Sequence, residues 1–150
     1  WAGWGGEVTG ASGKLKAATA TQVELGGPGQ ATNPEELLAA ALANCYTSTI
    51  TAQARARKLE LAGLETTART RLAWDDKTPH HIAEGALRVR IRSSAPEAEI
   101  RQLAEDARAH CPICNVLGAT ATALLAISPA RSSTAPVRRT QGPAHATSSG

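Results

Sequence analysis

The chain has 150 residues, of which 42% are hydrophobic and 19% charged, a balance that fits one folded domain and excludes wholesale disorder. Aromatic residues make up only 3%, with no Phe and no Met, so the core is expected to be Ala, Leu, Ile and Val with three Trp as the large pieces. The formal charge of +3 belongs to residues 129–150, which hold Arg131, Arg138 and Arg139 and no acid, while residues 1–128 are neutral. The body therefore carries no electrostatic footprint for nucleic acid. No apolar run of about 18 residues occurs, which excludes a membrane-spanning helix. Residues 1–15 lack the apolar stretch of a signal peptide. Three cysteines is an odd count. Without an export signal they read as thiols of a reducing, cytoplasmic compartment, kept for chemistry or packing.

In chain order, Val8, Leu15–Thr21 and Val23–Leu25 read as short strands joined by Gly turns, and 26–29 (Gly-Gly-Pro-Gly) as a break. A helix start follows. Asn33 is a good N-cap, Pro34 suits the first helical position, and Glu36 completes a capping box. The helix runs through Cys45 to about Arg57. Its first half is apolar nearly all round, which predicts a buried central helix with Leu38, Ala41, Leu42 and Cys45 on one side. Glu65–Asp75 reads as a strand. The loop after it holds His80 and His81, expected to be solvated. In Ala86–Arg92, Leu87, Val89 and Ile91 alternate with Arg88, Arg90 and Arg92, the pattern of a half-buried strand. Ser94 and Glu97 form a second capping box, with Pro96 in the first turn. Ile100, Leu103, Ala104 and Ala107 then mark an amphipathic helix to about His110, broken by Pro112. Ala119–Ile127 reads as a last strand. The order is α+β, with an antiparallel sheet packed on the central helix over residues 1–128. Residues 129–150 read as a disordered basic tail rich in Ser, Pro and Ala.

Three residues carry the chemistry a thiol offers. Cys45 sits inside the buried helix, where a small apolar core residue is the plainer reading. Cys111 and Cys114 form a Cys-Pro-Ile-Cys. Such a pair is a redox motif, half a zinc site or an accident. The thioredoxin-like redox form needs its first Cys at the start of a helix after a strand, and here the pair follows a helix. Zinc needs four ligands. His110, Cys111, Cys114 and Cys45 would have to supply them, with adjacent His110 and Cys111 an awkward pair. No Gly-rich phosphate loop, nucleophile elbow or zinc-protease motif is present.

Residues 32–37 (Thr-Asn-Pro-Glu-Glu-Leu), opening an Ala-rich helix that reaches Cys45, resemble the central helix of the OsmC/Ohr family of osmotically induced and organic hydroperoxide resistance proteins. His110, Cys111 and Pro112 with Asn115 are similar to that family's second Cys after its second long helix. The resemblance covers residues 4–127 and implies an OsmC-like fold, an intertwined homodimer, and a thiol peroxidase that needs no metal or organic cofactor. It implies that Cys45 is the peroxidatic thiolate and Cys111 the resolving Cys, with organic hydroperoxide as substrate and a dithiol such as a lipoyl group as reductant. In the family an Arg held by the first Glu of the Asn-Pro-Glu motif stabilises the thiolate, and Glu35 matches that Glu. This chain departs there, because no Arg precedes Arg55. Lys14 and Lys16 are candidate replacements, although Lys cannot form a bidentate fork. Cys114 is a second departure, either a competitor for Cys111 or a backup resolving thiol. The missing Arg motivates an alternative reading, an OsmC-fold binding or redox-sensing protein without efficient peroxidase activity.

Overall fold

A computed structural model describes residues 4–117 and 121–129. Strands β1 (Gly5–Thr9) and β2 (Lys16–Ala20) form an antiparallel hairpin in register from Gly5 opposite Ala20 to Thr9 opposite Lys16. Val23–Leu25, expected as strand, is instead a single 3-10 turn. Gly26 closes it with φ of 79°, donating to the Val23 carbonyl at 2.9 Å. A side chain at position 27 would collide with the Thr21 carbonyl oxygen, so the chain folds back there too tightly to extend.

Helix α1 (Pro34–Ala56) begins as its sequence dictates, with the Asn33 side chain accepting from the Glu36 N–H at 2.8 Å. Glu36 does not complete the box. It accepts from the Thr32 hydroxyl at 2.8 Å instead. At the far end the Lys58 N–H donates to Arg55 and the Leu59 N–H to Ala54, with Lys58 in the left-handed region at φ of 58°. This is a Schellman stop built without glycine.

Strands β3 (Gly63–Ala73) and β4 (His81–Ser93) pair antiparallel, with Leu64 opposite Ile91 and Ala68 opposite Leu87. Leu87, Val89 and Ile91 are buried while Arg88, Arg90 and Arg92 face solvent, as the alternation predicts. Both histidines are exposed as expected, His80 in the loop packing edge-on against Trp74 at 5.1 Å, while His81 is the first residue of β4 rather than loop. Helix α2 (Glu97–His110) buries Ile100, Leu103, Ala104 and Ala107. Its expected Ser94 cap does not form. Pro96 occupies the cap position without a side-chain bond, and Ser93 bridges the turn, donating to the Glu60 carbonyl and accepting from the Ala95 N–H.

Pro112 does not end helical structure. It opens α3 (Pro112–Val116), with Cys111 as its N-cap. Strand β5 (Ala121–Pro129) then pairs with β4 in parallel. The expected antiparallel pairing holds for β1–β2 and β3–β4 and is corrected only at β5. The connection from β4 through α2 and α3 returns the chain to the same end of the sheet, as a helical crossover must, and a strand–helix–strand order permits that pairing. Pro129, the first residue of the expected tail, ends β5. The rest of that expectation lies outside the described residues.

The core is one line of α1 (Leu42, Tyr46, Ile50 and Ala54) packed against the inward face of β4 and the buried side of α2. The expected stripe is corrected accordingly. Ala41 is exposed and Cys45 half-buried, because an i, i+4 line drifts round the helix away from both. The opposite face of α1, with Ala40, Ala41, Asn44, Ser48 and Ala52, is exposed in one chain. Trp4, Val8 and Leu15 are exposed on and beside the hairpin.

Candidate functional site: three thiols between helices

The site forms where the middle of α1 meets the start of α3. Tyr46 anchors that meeting, its buried hydroxyl donating to the Ala104 carbonyl of α2 at 3.0 Å. Cys45, the residue before it, stands at the margin of the core. The Thr49 hydroxyl donates to the Cys45 backbone carbonyl at 2.9 Å, and the Cys45 thiol interacts with the Cys111 side chain and the Ile113 backbone. Cys111 is fully buried, and its Sγ accepts from the Cys114 N–H at 3.4 Å. Cys114 is buried as well and interacts with the Cys111 side chain. Cys111 thus has both other cysteines as neighbours, and all three are free thiols.

Burial governs the electrostatics. It pushes the Cys45 thiol above its ordinary value, and neighbouring Cys111 pushes it further. The Ile113 N–H and the Thr49 hydroxyl act the other way without reversing the result. No Lys or Arg among the described residues is among the groups acting on Cys45. Burial raises Cys114 to about 12, again reinforced by Cys111 and opposed by Arg108. The Tyr46 phenol is raised by burial too and stays a donor.

The structure brings Cys45 and Cys111 together and leaves Glu35 apart. Glu35 is half-buried in the first turn of α1, its carbonyl accepting from the Thr70 hydroxyl at 2.8 Å. Ten residues of helix separate it from Cys45, about 15 Å of rise. One arginine-sized group cannot touch both within one chain. Lys16 pairs with Glu7 on the hairpin at 3.3 Å, and Lys14 is exposed. His110 turns its Nδ1 to the Asp106 carbonyl at 2.7 Å. Among the described residues, no three His, Cys, Asp or Glu side chains converge as a metal site. Sequence reading did not find Tyr46 or Arg108, which only the tertiary packing brings to the thiols. It also missed the helix that Cys111 caps. Pro112 as a first helical residue was its available signal.

The family model for OsmC-like proteins matches residues 27–124. The chain belongs to the OsmC-like family. It is similar to an organic hydroperoxide resistance protein OsmC from Legionella pneumophila, 31% identical over 85% of this chain and 92% of that one, with a TM-score of 0.73. An organic hydroperoxide resistance protein from Elizabethkingia anophelis is 23% identical over 85% and 90%, at a TM-score of 0.72. The organic hydroperoxide resistance protein OhrB of Bacillus subtilis is 21% identical over 85% and 93%, at 0.65. These last two establish the shared fold. No curated protein sequence matches the chain. No described helix of this OsmC-like chain is long and apolar enough to cross a membrane.

Proposed function

We propose that this OsmC-like chain is a thiol peroxidase that reduces organic hydroperoxides to alcohols. The observation that carries the reading is that Cys45 and Cys111, far apart in sequence, are brought to one core cluster where α1 meets α3 and act on each other there. Cys45 as thiolate attacks the distal peroxide oxygen, the O–O bond breaks, the alcohol leaves, and Cys45 becomes a sulfenic acid. The Cys111 thiol then attacks that sulfur, releasing water and forming the Cys45–Cys111 disulfide. A dithiol, such as a lipoyl group, returns both sulfurs to thiols by exchange. These steps draw on no metal or organic cofactor. They require a reducing compartment such as the cytoplasm. Aliphatic Ile113 and Leu117, half-buried beside the core, favour an organic over a fully polar peroxide.

The thiolate needs a cation, and a second copy of the chain supplies the missing part of the site. Two α1 helices crossing antiparallel about a two-fold axis near Ala40 and Ala41 set the Glu35 of one copy toward the Cys45 of the other. Those small exposed residues are midway between the two and permit close approach. Glu35 then orients a cation, with Lys14 or Lys16 as candidates, toward the thiolate.

One observation favours the second reading, a binding or redox-sensing protein: the Cys45 thiol of a single chain is raised, not lowered. The pH dependence of Cys45 alkylation separates the two. An apparent pKa well below the ordinary thiol value of about 8.5 supports the enzyme. Peptide mapping after one equivalent of cumene hydroperoxide tests the chemistry directly. A Cys45–Cys111 link forming within seconds, faster than with hydrogen peroxide, is expected. An unreacted Cys45 leaves the second reading standing and removes the first.

A further inference from the structure

Cys114 has no part in the two-thiol cycle, yet its surroundings are those of a redox partner. It is 2% exposed, it lies one helical turn from Cys111, and its N–H is already bonded to the Cys111 sulfur at 3.4 Å. Cys111 caps α3 with extended backbone, and Cys114 is the third residue of that helix. An N-cap and a third residue stand on the order of 5 Å apart between Cα atoms, inside the range a disulfide spans. Cys45 belongs to another helix and also interacts with Cys111. Cys111 therefore has two thiol neighbours, one half-exposed and one buried.

We propose that Cys114 is a third redox thiol, which displaces Cys45 from Cys111 and leaves the oxidised chain at rest as a Cys111–Cys114 disulfide. The inference rests on the peroxidase reading, which supplies the oxidised starting state through an organic hydroperoxide. The Cys114 sulfur attacks the Cys111 sulfur of the Cys45–Cys111 disulfide. The S–S bond to Cys45 breaks as the S–S bond to Cys114 forms. Cys45 leaves as the thiolate and takes up the proton that Cys114 gave up. No net electrons move, so the exchange needs no further oxidant or reductant. Its effect is to return Cys45 to the thiol while the oxidising equivalent moves to a buried pair. Because both sulfurs of that pair are buried, an external dithiol reduces it more slowly than it reduces the half-exposed Cys45–Cys111 link. The chain then carries a record of any interval in which its reductant runs short.

The test is a quenched time course on the full chain. Reduced protein receives one equivalent of cumene hydroperoxide, free thiols are alkylated at intervals, and peptides are mapped. Wild type is expected to show Cys45–Cys111 first, then Cys111–Cys114 with Cys45 alkylated. Cys114→Ser and Cys114→Ala are both expected to stop at Cys45–Cys111, so that a folding defect in one does not decide the outcome. Dihydrolipoamide added late is expected to reduce wild type several-fold more slowly than when added early, a difference absent from both variants. A Cys45–Cys111 link that persists in wild type overturns the exchange and leaves the peroxidase reading intact. All three thiols surviving the peroxide overturns both. A glutathione redox buffer gives a peroxide-free arm: Cys111–Cys114 should populate ahead of Cys45–Cys111, and the reverse order also overturns the proposal.

Discussion

At the scale of single residues, the chemistry of this OsmC-like chain is a contest between burial and ionisation. A peroxidatic sulfur must be a thiolate, whereas a core sulfur is held as a thiol. Cys45 stands between these states, half-buried with one backbone N–H and one hydroxyl favouring its charge. Burial favours the thiol form of Cys114, raising it from 9.0 to about 12. A group that holds its proton more tightly folded than unfolded leaves stability intact below the unfolded value. It takes stability away as pH climbs from there toward the folded value. Urea midpoints should therefore decline between about pH 9 and pH 11, approaching about 1.4 kcal/mol per pH unit for each such group. Cys114→Ala should decline less steeply than wild type, and identical slopes would contradict the buried-thiol account. Cys45, Cys111 and Glu35 were named from the sequence through the family resemblance, and their roles stay part of the proposal. Their separation was not legible there: helical rise makes Glu35 and Cys45 strangers within one chain, which a list of motif residues does not reveal.

At the scale of elements, local signals spoke clearly where a side chain competes for backbone groups. Asn33 capped α1 as read, and alternation fixed the inward face of β4. Reading failed where proline and glycine allow more than one answer. Pro112 starts α3, although it was read as a terminator, and the glycines after Leu25 wind a turn that looked extended. The helix end was legible to a residue while its mechanism was hidden, because Lys58 adopts the left-handed conformation usually left to glycine. A non-glycine residue there costs about 1–2 kcal/mol, partly offset in glycine by chain entropy. Lys58→Gly should accordingly stabilise the protein by about 0.5–1 kcal/mol. A rise in the urea midpoint at unchanged denaturant slope checks this. A fall would place the strain elsewhere. The parallel pairing of β5 shows a different limit, since pairing direction depends on how α2 and α3 return the chain and not on the strand's own residues.

At the scale of the whole molecule, one chain leaves surface that its composition does not suit to water. The outer face of α1 is rich in Ala, and Trp4 is 60% and Leu15 49% exposed around a hairpin tied to the body at Thr32. In the proposed function a second copy would cover these surfaces and bring its Glu35 toward Cys45, which makes assembly and activation one event. Sedimentation at micromolar concentration should give a dimer. A monomer that retains peroxidase activity would break the link between them. The central claim, however, concerns a single sulfur. Its most direct test is the consumption of cumene hydroperoxide by the full chain with dihydrolipoamide as reductant, comparing wild type with Cys45→Ser. The account predicts sustained turnover by wild type and a rate indistinguishable from protein-free background for the variant. Undiminished turnover without the Cys45 thiol would contradict it.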